Sequence, residues 1–178
     1  MAETGEVLLN TDDLRAVTGF AAGCAGTVLG LYASAHPADP RPRDAIDAAW
    51  AFARGGRRGK ALRDTAWAAL RAAGETDDEA AEHAARAAMA AASAAYLHPL
   101  ADAHQVKHVL GAPAHAARAA ELAAGGDEDV AVEHLARARE RCPAEVVAVL
   151  VRFPAAPAGG GRVGKLLRDL DEVLRRVG

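Results

Sequence analysis

Aromatic side chains make up only 4% of this 178-residue chain, and cysteine occurs just twice, at Cys24 and Cys142. With so few large rings, a core must be assembled from small aliphatic groups. Two cysteines are too few for a disulfide framework and fit a reducing, cytoplasmic setting. An excess of basic charge is also missing. The net charge of −3 excludes the overall electrostatic footprint of a nucleic-acid-binding protein. No stretch of about 18 apolar residues is free of glycine or charge, so no membrane span is expected. The nearest, from Ala16 to Ala35, is interrupted by Gly19, Gly23, Gly26 and Gly30. The opening MAETGEVLLN has neither the basic start nor the apolar run of a secretion signal. Sustained alternation of β-branched residues is absent as well, which argues against a sheet.

What the chain does contain is helix-forming. Hydrophobic residues account for 51% and charged residues for 25%, a globular balance, and alanine dominates the apolar share. Alanine is the best helix former, and its small side chain lets helices pack closely. The pattern predicts an all-α fold: one domain over residues 1–178, a helical bundle or α-solenoid-like stack of about seven to eight helices. The helical core spans 10–153, a Pro/Gly linker 154–161, and a C-terminal amphipathic helix 162–178. A first helix is expected from the NTDDLRAV start to about Ser34, with Asn10 or Thr11 as cap. HPADPRPRD ends it. Helices are then expected over 42–54, 61–73, about 77–97 with Thr76 or Asp77 as cap, 100–124 with a kink at Pro113, 128–141, and from Pro143 to Pro154.

Four stretches have the look of chemistry, and the last of them is a decoy. AHQVKHVLGAPAH, from Ala103 to His115, places His108 roughly 40° and His115 roughly 20° around a helix from His104. Such a stripe suits metal chelation, acid–base work, recognition or helix packing. It has no Glu after the first His and no nearby cysteines, so no metal and no cofactor are expected. His83 and His134, among charged positions, read as solvent-facing. The turn AHPADPRPRD offers His36 and Asp39 with Arg41 and Arg43. These arginines, like Lys107 beside the histidine stripe, are suited to an anionic group; alternatively Asp39 simply caps the next helix. RGGRRGKALRD, with Arg54, Arg57, Arg58, Lys60 and Arg63, suits an anion or an acidic protein partner. GGGRVGKL has the G-x-x-x-x-G-K spacing, but Leu166 replaces the Mg²⁺-holding hydroxyl and no strand precedes it, so no ATPase is read from it.

Two blocks taken together, HPADPRPRDAIDAAWAFARG (His36 to Gly55) and AHQVKHVLGAPAHAARAAEL (Ala103 to Leu122), resemble the immunity proteins of bacterial polymorphic toxin systems. The positions matching the shared pattern are His36, Asp39, Arg41, Arg43, His104, His108 and Gly111; the chain departs from it at Pro113 and His115. The resemblance implies a cytoplasmic protein that neutralises a cognate toxin by protein–protein contact. The residues themselves leave a second reading open: a small enzyme in which His104, His108, His36 and Asp39 do acid–base chemistry on a small anionic molecule. That reading requires the two blocks to meet around one pocket.

Overall fold

Asn10 starts the first helix by a reciprocal cap. Its side chain accepts from the Asp13 amide at 2.8 Å, while the Asp13 carboxylate accepts from the Asn10 amide at 3.1 Å. In this computed structural model, which describes residues 5–177, helix α1 (Thr11–Gly26) is followed by α2 (Leu29–Ala35), bent from it by 47°. The single helix expected to Ser34 is therefore two. Thr27 breaks it: its hydroxyl donates to the Cys24 carbonyl at 2.6 Å and also meets His134 Nε2 at 3.0 Å.

The remaining helices are α3 (Arg41–Ala53), α4 (Lys60–Gly74), α5 (Glu79–Ser93), α6 (Val106–Ala123), α7 (Glu128–Arg141), α8 (Ala144–Leu150) and α9 (Gly161–Arg175). The fold among the described residues is all-α, and the N-terminal segment adds one isolated antiparallel bridge, Glu6 to Leu100. Asp78, rather than Thr76 or Asp77, caps α5 by accepting from the Ala81 amide at 3.0 Å. α5 ends at Ser93 in a 3₁₀ turn, Ala94–Tyr96, and α6 begins only at Val106 after a second 3₁₀ turn, Ala103–Gln105. α6 runs on through Pro113, which is buried among its neighbours. No single helix among the described residues is long and apolar enough to cross a membrane.

At the centre lies α5. Ala81, Ala84, Ala85, Ala87, Ala88, Ala90, Ala91 and Ala92 are all buried, and α1, α2, α3, α4 and α6 all pack against it. α6 runs antiparallel to α5, with Gly111 against Ala90, so the two backbones approach closely. Larger side chains fill the flanks, including Leu110, Leu150, Leu166, Leu170 and Leu174. Two buried acids fasten α9 in place. Glu121 of α6 accepts from Arg162 Nε at 3.1 Å through both oxygens and has Arg118 at 3.3 Å. Asp171 accepts from the Ala156 amide at 2.9 Å and from Arg175 Nε at 2.8 Å.

Candidate functional site

The Pro–Arg corner between α2 and α3 folds onto the loop between α4 and α5. Asp39 accepts from the Tyr32 hydroxyl at 2.6 Å, the Arg41 amide at 3.0 Å, and Arg41 Nε and Nη2 at 2.9 and 2.7 Å. Arg41 reaches on to Glu75 at 2.6 Å, and His36 Nε2 meets the Thr76 hydroxyl at 2.7 Å. The bound guanidinium and the Tyr32 hydroxyl hold the Asp39 carboxyl far below the usual carboxylate range. Burial and Asp39 push the Tyr32 phenol up to about 12. Arg41 and Asp39 therefore satisfy one another, while Arg43 points to solvent. Replacing Asp39 by alanine leaves the Tyr32 hydroxyl and the Arg41 amide without acceptors. A stability loss of about 2–3 kcal/mol is expected in urea unfolding, against about 1 for Tyr32→Phe.

The histidine stretch does not meet this corner. His104 lies in the 3₁₀ turn before α6, where helical spacing does not apply. It is largely exposed, and its Nδ1 sits 2.9 Å from Asp102. With Lys107 it lines a cleft of about 230 Å³ against Pro157, Gly159, Gly160 and Gly164 of the linker and α9. Gly164 packs so closely there that a Cβ would lie 2.0 Å from the Gly159 carbonyl oxygen. His108 turns inward toward α4 and α5. Burial, then nearby Lys107, lowers its pKa. His115 stacks on His83 of α5, Nδ1 to Nδ1 at 3.0 Å. His83 and His134 are thus half-buried and hydrogen-bonded, not the solvent-facing residues expected.

The candidate residues of the two blocks lie toward opposite ends of the α5–α6 pair. His36 contacts the loop before α5, and His104 sits beyond the far end. The 15 residues of α5 separate them by roughly 22 Å at 1.5 Å per residue. The structure groups His36 with Asp39 and Arg41, places His104 beside Lys107, and sets His108 apart. Among the described residues, the single pocket that the enzyme reading requires does not form. No group of three or more His, Cys, Asp or Glu among the described residues is placed to hold a metal ion.

A different surface carries the exposed Trp67 ring beside the partly buried Tyr96. Trp67 of α4 is 61% exposed. It lines a pocket of about 220 Å³ with Arg63, Leu70, Met89, Ser93, Tyr96 and His108. Tyr96 lies between two guanidiniums, Arg58 at 5.5 Å and Arg63 at 5.7 Å from its ring centre. Its hydroxyl donates to the Gly59 carbonyl at 2.8 Å, and Arg58 donates to the Ala95 carbonyl at 3.2 Å. The basic loop is thereby stapled beside the pocket. Gly55, at φ +111°, turns the chain into that loop; a Cβ on Gly56 would lie 2.7 Å from the Ala51 carbonyl oxygen. RGGRRGKALRD marked the arginines in the sequence, but Tyr96, the ring that Arg58 and Arg63 both approach, comes from a distant segment and gave no local signal.

Comparison with curated proteins and with solved structures yields no match. The family described as "Imm-5 like putative immunity protein" matches residues 7–145, well over half of the chain. The match takes in both sequence blocks and the arginine–aromatic surface and leaves out α9. On that match, the chain belongs to the Imm-5 like immunity protein family.

Proposed function

We propose that this protein neutralises a cognate toxin by direct contact, with Trp67, Tyr96, Arg58 and Arg63 as the centre of the contact surface. The observation that carries the reading is Trp67, a large ring left 61% exposed beside a small pocket, while Phe20, Phe52, Phe153 and Tyr32 are buried and Trp50 and Tyr96 are partly buried. Trp, Tyr and Arg are the residue types that dominate binding hot spots, because they combine a wide apolar area with a polar edge. The guanidiniums flanking Tyr96 favour a partner patch that places carboxylates around an apolar anchor. Family membership supports a toxin as the partner, and the exposed ring beside the arginines supports this surface as the contact.

The test is titration calorimetry of the purified protein against its toxin. Trp67→Ala should weaken binding by about 30-fold or more, the effect of losing a hot-spot side chain. Val132→Ser, at an exposed position on α7, should leave affinity unchanged. Equal affinity for wild type and Trp67→Ala would place the contact elsewhere.

A further inference from the structure

Between α1, α3 and the end of α7 lies a second, larger opening of about 470 Å³, within the usual size range of small-molecule sites. Its walls are apolar: Ala16, Gly19, Phe20 and Gly23 from α1 face Trp50 and Ala53 from α3. The Trp50 ring lies along Gly19 and Gly23, where Cβ atoms would sit in ordinary contact with it at 3.7 and 3.8 Å. The charged groups in its lining are three arginines, Arg15, Arg54 and Arg141, with no carboxylate among them. In a chain of net charge −3, that is a local reversal of sign.

These arginines are short of partners. Among the described residues, no ion pair within 4.0 Å involves Arg54 or Arg141. Arg54 instead lies over the Trp50 ring, 5.0 Å from its centre. Arg15 touches exposed Asp12 at 3.3 Å and the Gly55 carbonyl at 3.2 Å, but its buried Nε has no acceptor. Cys24 lines the same wall as a neutral thiol, burial pushing its pKa up to about 12, so no negative charge in the groove offsets the guanidiniums.

We infer that this groove binds small amphipathic anions, molecules carrying a carboxylate or phosphate on an apolar body. The anionic head pairs with Arg54 and Arg141, and the apolar body lies along Trp50 and the glycine wall. Guanidinium forks suit both oxyanions, and Arg54 and Arg141, both exposed, are free to turn toward a bound head group. This site is separate from the Trp67 surface.

The chain has two tryptophans, so a Trp67→Phe background leaves Trp50 as the only tryptophan reporter. Titrating it with octanoate, octyl phosphate and octyltrimethylammonium, each below its aggregation threshold, separates head-group charge from chain length. A saturable change in Trp50 emission is expected with one or both anions and not with the cation. Whichever anion responds identifies the head group. Adding Arg54→Gln and Arg141→Gln should weaken the response at least tenfold while circular dichroism stays helical. Should that double variant lose its helical signal, the single Arg54→Gln variant, still expected to bind several-fold more weakly, decides. Equal responses to anion and cation, anion binding that survives the arginine changes, or no saturable response at all would overturn the inference. Toxin binding read separately on Trp67→Ala keeps the two proposals distinguishable.

Discussion

Acidification from pH 7 to pH 4.5 should destabilise the protein by several kcal/mol, and His115→Leu should remove a large part of that loss. His115 is buried on α6 against His83, with Arg86 close by. Burial first, then the neighbouring His83 and Arg86, pushes its pKa down to about 3. His83 is lowered too, mainly by burial and further by Arg118 and Arg86, with Glu82 and Glu79 opposing. In the unfolded chain a histidine takes up its proton near pH 6.5. Between about 6.5 and 3 the unfolded state therefore holds more protons at this position, and stability falls as pH falls. The slope for His115 alone is about 1.4 kcal/mol per pH unit, roughly 3 kcal/mol over two units. His108 and His134, also lowered by burial, add to the same trend. Urea midpoints at pH 7, 5.5 and 4.5 measure the effect. The leucine variant should show a shallower decline, by about one proton; parallel profiles would contradict the assignment to His115.

The second large effect lies further along α6, near its C-terminal end. Arg162→Ala removes the guanidinium that neutralises buried Glu121 and leaves only Arg118 at 3.3 Å. The Glu121 side chain is 3% exposed, so solvent cannot substitute. Breaking a buried pair from one side typically costs about 3–5 kcal/mol; with Arg118 remaining, about 3 is expected. The same change unfastens α9, so amide exchange should quicken from Gly161 to Arg175 before it does in α5. The double variant Glu121→Leu/Arg162→Leu, which removes both charges, should recover most of the loss. A cost under about 1 kcal/mol for Arg162→Ala would mean that Asp171, through Ala156 and Arg175, holds α9 unaided.

Much of the architecture was readable because it depends on local signals. The NTDD start, the proline-rich corner and the acidic first turn of α7 mark helix ends through capping and backbone restriction, which act within a few residues. The site was harder to read because its pieces meet only through packing. The stripe of His104, His108 and His115 rests on helical spacing, and that failed at one point. The Pro99–Gln105 segment is not α-helical, so His104 leaves the row. His83 and His134 looked solvent-facing beside their charged neighbours, yet the partners that bury them, His115 and Thr27, are 32 and 107 positions away. Asp39 was read both as a ligand group and as a cap. The structure puts Pro40 at the N-cap position of α3; Asp39, one residue earlier, accepts from the Arg41 amide and guanidinium and from Tyr32, which no spacing rule connects to it.

The row of methyl groups along α5 has a consequence for how such a protein can change. Each of its neighbours sits at a distance fixed by the smallest chiral side chain, so enlarging almost any of these positions would push helices apart, and shrinking one to glycine would loosen the helix itself. The interior is therefore a nearly immovable chassis. Diversity has to enter at the rim, where arginines and rings can be exchanged without altering the distances beneath them. A scaffold of this kind can acquire a new binding specificity while keeping the same frame.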